Sequence, residues 1–281
     1  MLIFNTKAAL ETLLKKHKSN HSSIGFVPTM GALHKGHLSL LEQSLRDNDY
    51  TVISIFVNPT QFNNAEDLKK YPRTLEADTL KIKQLNPDII VFAPDAEEMY
   101  DGDITSAHFS FDGLEDQMEG RHRPGHFNGV GTIVKKLFEI VQPDNAYFGE
   151  KDFQQLQIVK KMVEKNHLPV NIIGCPIHRE ANGLAMSSRN ERLSAEEREK
   201  ASFIYKTLTR AKQLFSNQSV KEVKSYVEDA FKAHPEFNVE YFEIAEENTL
   251  IPSSIKENKK YRAFIAVFLS NIRLIDNISL N

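Results

Sequence analysis

The stretch Ile24-Gly25-Phe26-Val27-Pro28-Thr29-Met30-Gly31-Ala32-Leu33-His34-Lys35-Gly36-His37, continued by Leu38-Ser39-Leu40-Leu41, decides how the chain is read. An apolar run ends in Pro-Thr, passes through a loop holding two glycines and two histidines, and opens into an amphipathic segment. That order predicts a strand, a loop and a helix after His37, with imidazoles at the helix entrance. The start of a helix presents unpaired N–H groups and the positive end of its dipole, so the entrance suits phosphate. Two histidines three residues apart could donate to the same oxygens. They could also be metal ligands, but no third ligand stands at a standard zinc spacing. A Walker A loop is missing, and Gly129-Val130-Gly131 lacks the third glycine of a dinucleotide fingerprint. The reading is therefore an anion site for a nucleotide outside the two commonest nucleotide-binding patterns.

Working outward, residues 6–18 carry Ala9, Leu10, Leu13 and Leu14 at helical spacing. Thr51 to Val57 is a continuous β-branched and apolar run, the pattern of a strand buried on both faces, and it ends in the polar loop Asn58-Pro59-Thr60-Gln61-Phe62. Further helices are predicted over 74–85, 132–141 and 153–166, and strands over 88–93, 145–148 and 170–173, with a short strand at 107–111. Gly120 to Gly131, with four glycines, a proline and two arginines, reads as a mobile basic loop. Such alternation over the first 175 residues predicts an α/β fold, a Rossmann-like doubly wound parallel sheet. Ligands bind such sheets at the C-terminal ends of the strands. Beyond it, helices at 195–216 and 219–233 and strands at 239–245 and 261–269, the latter ending near Ile275, predict a smaller α+β domain. The expected division is 1–175 for the nucleotide site and 176–281 for a C-terminal lid.

Composition narrows the function. The 281 residues are 41% hydrophobic and 26% charged, enough for a large core. A net charge of −3 gives no reason to expect nucleic acid as the main partner. One cysteine, Cys175, excludes an internal disulfide and fits a reducing compartment. The N-terminal residues lack the layout of a signal peptide, and no apolar run is long enough to span a bilayer. A cytoplasmic protein with no membrane partner is expected.

Five ordered blocks then carry a specific resemblance: residues 28–37, Phe56 to Phe62, Arg121 to Gly131, Phe148-Gly149-Glu150-Lys151-Asp152-Phe153-Gln154-Gln155, and Gly183-Leu184-Ala185-Met186-Ser187-Ser188-Arg189-Asn190. The first resembles the His-x-Gly-His signature of the nucleotidyltransferase superfamily. Taken together, spanning 28–190, they resemble the pantothenate synthetase (pantoate–β-alanine ligase) family. Two positions depart from that pattern, Asn182 for an Asp and His178 for a small apolar residue.

The resemblance implies adenylation of pantoate by ATP, release of pyrophosphate, and attack of β-alanine on the acyl-adenylate, in a homodimer. It implies catalytic roles for His34, His37, Lys151 and Arg189. ATP would also meet Met30, Gly149, Glu150, Asp152, His178, Met186, Ser187 and Ser188. Pantoate would meet Gln61 and Gln155, and β-alanine would meet Gln61, with Asn58 a weaker candidate. Asp152 would hold Mg²⁺.

Physical chemistry fits these roles. Displacement at the α-phosphorus needs positioning and donors for phosphate oxygens, and pantoate's carboxylate is already ionised near neutrality. Two hydroxyls and a guanidinium at 187–189 suit a departing pyrophosphate. Asp152 also reads as an ordinary helix N-cap. His122, Arg123 and His126 read as a second anion patch or a lid, with a mobile gate in which Arg123 reaches the phosphates the favoured form. An alternative is a related nucleotidyltransferase acting on another small acceptor.

Overall fold

The computed structural model describes residues 1–63 and 65–281, with only the backbone of Asp67. Six strands, β1 (Ile3–Phe4), β2 (Ile24–Thr29), β3 (Tyr50–Ile55), β4 (Ile90–Phe92), β5 (Asn145–Gly149) and β6 (Asn171–Cys175), form one sheet in the order β1-β4-β3-β2-β5-β6. Every pairing in it is parallel. Between them run α1 (Lys7–Ser19), α2 (Lys35–Asp47), α3 (Ala65–Lys70), α4 (Leu75–Leu85), α5 (Ala96–Tyr100), α6 (Met118–His122), α7 (His126–Val141) and α8 (Phe153–Lys165). Phe26, Val27, Val52 and Ile53 are completely buried because helices cover both faces of the sheet. Alternate side chains of β2 and β3 point to opposite faces. Phe26 and Val52 join Leu10, Leu14, Val134 and Phe138 of α1 and α7. Val27 and Ile53 join Leu40, Leu41 and Ile82 of α2 and α4.

The chain builds outward from β2 through β3 to β4, then returns to place β5 and β6 on the other side of β2. The strand order therefore reverses between β2 and β5. A crevice opens at that point, at the C-terminal ends of the strands.

After β6 come α9 (Ala195–Lys200), α10 (Ser202–Phe215) and α11 (Val220–Lys232), then an antiparallel sheet of β7 (Phe237–Glu246), β8 (Tyr261–Leu269) and β9 (Ile272–Ser279). Helices α10 and α11 cover one face of this sheet, with Leu208, Val223 and Val227 against Ile265 and Val267. Phe264 of β8 turns the other way into the core of the first sheet, its ring centroid 5.9 Å from that of Phe153. No helix is long and apolar enough to cross a membrane among the described residues.

Several local expectations need correction. Helix α2 begins at Lys35, so His34 is its N-cap and His37 lies in its first turn. Residues 107–111 form no strand, since Phe109 donates its N–H to Asn128 Oδ1 at 3.0 Å instead of joining a ladder. The glycine-rich run 120–131 is largely helical, shared between α6 and α7. Its glycines serve close packing: a Cβ on Gly129 would sit 2.2 Å from Thr60 O, and one on Gly131 would sit 3.0 Å from Phe109. The helix expected over 195–216 is split at Ala201, with a Ser194–Glu197 capping box starting α9. The strand expected at 261–269 is β8, but its extension to Ile275 belongs to a separate strand after a reversal at Ser270, whose φ is +53°.

Candidate functional site

The loop after β2 is shaped by a carboxylate from elsewhere in the chain. Gly31 and Ala32 both have positive φ, +82° and +49°. Asp78 of α4, 0% exposed, accepts from Ala32 N at 2.9 Å and Leu33 N at 2.7 Å, and Thr74 Oγ1 donates to it at 3.1 Å. Lys81, one turn further along α4, donates to Leu33 O at 2.6 Å. Sequence reasoning missed both residues, because an acid in the first turn of a helix is ordinary.

The histidine pair is locked by the start of α2. Gly36 N donates to His34 Nδ1 at 3.2 Å, and His34 N donates to His37 Nδ1 at 3.3 Å. This is a capping box built from two imidazoles. Each Nδ1 is thereby an acceptor, so each neutral ring carries its proton on Nε2. The rings lie 4.0 Å apart. Burial, then the Lys151 charge, lowers the His34 pKa to about 4; burial, then His34 itself, lowers that of His37 to about 3. Both rings are neutral Nε2–H donors at pH 7. Long-range ¹H–¹⁵N spectra of the ligand-free protein should show the Nε2–H tautomer for both, with no titration between pH 8 and 5.5. Titration near the ordinary histidine value would contradict this assignment.

Across the crevice, β5 ends in a tight 3₁₀ turn, Glu150–Asp152, that leads into α8. Lys151 Nζ lies 3.8 Å from Asp152 Oδ2. Asp152 sits at the N-cap of α8 but makes no side-chain cap bond, and its carboxylate is 50% exposed. The capping reading of that side chain therefore fails.

One cavity gathers most of the predicted groups. Met30, His34 and His37 line it from the first segment; Gly149, Lys151, Asp152 and Gln155 from the β5–α8 segment; His178, Met186, Ser187, Ser188 and Arg189 from the chain after β6; and Gln61 from the loop after β3. Ser188 Oγ donates to Ala32 O at 3.1 Å, tying the 187–189 turn to the loop after β2. Asn182 shapes the Gly183 turn, where its Oδ1 accepts from Leu184 N at 3.2 Å.

Two candidates stand apart. Glu150 does not line the cavity; its carboxylate faces Arg262 at 3.5 Å. Asn58 is wholly buried and its amide is already used. It donates to Gly129 O at 3.2 Å and accepts from Tyr100 OH at 2.5 Å and Thr60 Oγ1 at 3.2 Å.

The expected gate is instead a brace. His126, buried in the first turn of α7, donates from Nδ1 to Gln61 O at 2.9 Å and accepts from Arg123 Nη1 at 3.1 Å. Arg123 Nη2 reaches the same carbonyl at 3.3 Å. Burial, then the Arg123 charge, lowers the His126 pKa to about 4, so it too is neutral. His122 stacks on Tyr241, 5.4 Å between centroids.

Behind this brace lies a buried acid–base network that sequence reasoning also missed. Glu119, its side chain 12% exposed, accepts from Arg273 Nη1 at 2.9 Å, Arg273 Nη2 at 2.7 Å and Tyr241 OH at 2.7 Å. Arg123 Nη1 lies 3.8 Å from the same carboxylate. Burial would raise the Glu119 pKa, but the bonds and charge of Arg273, helped by Tyr241, outweigh it and hold the carboxyl at about 2.

The chain matches the family model described as pantoate-beta-alanine ligase over residues 2–279. It is 63% identical over 281 residues to a pantothenate synthetase of Flavobacterium psychrophilum, with 100% of each chain covered. A pantothenate synthetase of Christiangramia forsetii is 55% identical over 282 residues, again with 100% of each covered. Among solved structures, the fold is similar to that of a pantothenate synthetase from Thermus thermophilus, with a TM-score of 0.92 at 42% identity, covering 100% of this chain and 99% of the other. A pantoate-beta-alanine ligase from Francisella tularensis, complexed with beta-gamma ATP and beta-alanine, gives a TM-score of 0.80 at 33% identity, covering 100% and 98%.

Proposed function

The chain belongs to the pantoate–beta-alanine ligase family, and on that premise we propose which of its residues carry each step. The enzyme condenses pantoate with β-alanine using ATP. In the first step a pantoate carboxylate oxygen attacks the α-phosphorus and pyrophosphate leaves. In the second the β-alanine amine attacks the acyl carbon, loses a proton as the amide forms, and AMP departs.

The observation that carries the assignment is the convergence at the β2–β5 reversal point of His34, His37, Lys151 and the 187–189 turn, with Gln61 and Gln155 in the same cavity. His34 and His37 donate Nε2–H to α- and β-phosphate oxygens. Because the rings are neutral, they stabilise growing charge as dipoles, fixed in advance by the capping box. Lys151 adds a point charge, and Ser187, Ser188 and Arg189 hold the departing pyrophosphate. Met30, Gly149, His178 and Met186 frame the nucleotide, while Glu150 stands outside the cavity. Gln61 and Gln155 bind pantoate through neutral amides that match its hydroxyls and carboxylate, and Gln61 also meets β-alanine.

The donor set at Asp152 fits Mg²⁺. No group of three or more His, Cys, Asp or Glu side chains forms a metal cage among the described residues. Mg²⁺ commonly uses one or two carboxylates together with substrate phosphates, and the uncapped Asp152 carboxylate supplies one. When bound there, the ion would neutralise triphosphate charge. Residues 1–175 form the nucleotide- and pantoate-binding unit and 176–281 the smaller unit that closes on it. A lone cysteine, Cys175, with no internal disulfide possible supports a cytoplasmic location, and the family resemblance supports a homodimer.

The products test the assignment. Pantoate, β-alanine and ATP together should give equal amounts of amide, AMP and pyrophosphate. Formation of ADP and phosphate would contradict it.

A further inference from the structure

Strand β9 holds three other segments of the chain within five residues. Arg273 holds Glu119, as described. Asp276 accepts from Arg179 Nη1 at 2.6 Å and Nη2 at 2.9 Å, and that guanidinium lies 3.8 Å over the Tyr205 ring. Asn277 makes the third contact. Its Nδ2 donates both protons, one to Glu150 O and one to Lys151 O, each at 2.9 Å.

Asn277 is only 2% exposed, and its orientation is fixed from behind. Arg262 Nη1 donates to Asn277 Oδ1 at 2.6 Å, and Arg262 is held in turn by Glu247 at 3.1 Å and by the Phe153 ring at 3.9 Å. With Oδ1 satisfied by a cation, the amide can present only its NH₂ to the turn. Those two carbonyls belong to Glu150 and to Lys151 itself, whose side chain lines the same cavity as His34 and His37.

We propose that Asn277 is a positioning residue for Lys151. The C-terminal sheet thereby sets where the Lys151 charge stands when the α-phosphorus is attacked. This rests on the reading of Lys151 as a phosphate-side group. Misplacing a reacting group by about 1 Å can cost on the order of 10²-fold in rate. Lost anchoring of this turn should therefore appear in turnover, and leave the Gln61 side of the cavity unchanged.

Asn277→Asp keeps the shape and the Arg262 contact but replaces both donors by a carboxylate oxygen. The test is a double-mutant cycle with Lys151→Ala, following pantoate-dependent exchange of pyrophosphate into ATP per folded enzyme. Asn277→Ser, a milder loss of the same donors, serves as the second variant should the aspartate chain fold poorly. In the otherwise native enzyme Asn277→Asp should lower kcat about 10²-fold, with the pantoate KM within about threefold. In the Lys151→Ala background the same change should cost less than about threefold, because its effect is already lost. Additive losses would overturn the proposal while leaving Lys151 as a catalytic residue. Full exchange by Lys151→Ala alone would instead remove the reading of Lys151, and the proposal with it.

Discussion

Replacing His37 with alanine should slow pantoate-dependent adenylate formation by about 10²–10³-fold, the usual loss for one fixed donor to developing oxyanion charge. The ring is half-buried in the first turn of α2, with Nδ1 engaged by His34 N and its proton on Nε2. Water entering the gap could donate, but it would have to be oriented during the reaction. Losing half of the capping box should destabilise the fold by only about 1 kcal/mol. A circular dichroism spectrum and melting curve close to those of the native enzyme should therefore accompany the rate loss. Activity should also be free of any step near pH 6.5 from these rings, since both stay neutral to well below that value. A pH profile falling with an apparent pKa that disappears in His37→Ala would show that an imidazolium takes part.

The largest expected loss of stability comes from Arg273→Met. It leaves Glu119 buried with the Tyr241 hydroxyl and a more distant Arg123 as its remaining side-chain partners. Breaking one side of a buried pair costs about 3–5 kcal/mol. The Glu119 pKa is depressed in the folded state, so its contribution is fully present above the ordinary carboxylate range. It is lost as pH falls through the folded value of about 2. Measured from the ordinary value of 4.5, that shift corresponds to about 3 kcal/mol at neutrality. The deficit of Arg273→Met, read from urea midpoints, should be greatest at pH 7 and smaller by about 1 kcal/mol at pH 3.5. A deficit that did not change with pH would mean that Arg273 stabilises by packing, without holding the Glu119 charge. The neutral imidazoles act in the same pH direction: His34, His37 and His126 have lowered pKa values, so the unfolded chain takes up their protons first as pH drops below about 6.5.

The parts of the fold that sequence reading recovered are those written locally. Strands β2 and β3 are continuous apolar runs because helices cover both faces, and the two histidines stand on either side of a helix start. The glycines of 120–131 misled because the same residue serves turns and close packing. In Gly129 the missing side chain makes room for the Thr60 carbonyl, which no local pattern reveals. Asp78, Glu119 and Asn277 could not be found for a related reason. Their partners lie far away in the chain, 45 residues between Asp78 and Leu33 and 126 between Asn277 and Lys151. Each looks locally like an ordinary helix or strand residue. The groups proposed to touch substrates stand in ordered motifs, whereas groups that hold those motifs in place come from tertiary contacts alone.

The most direct test of the central claim is exchange of labelled pyrophosphate into ATP. His34, His37 and Lys151 line one cavity with Gln61 and Gln155, so with the proposed roles adenylation should proceed once ATP and pantoate are both bound. Exchange should therefore require pantoate and run without β-alanine. Exchange in the absence of pantoate, or only after β-alanine is added, would contradict the account.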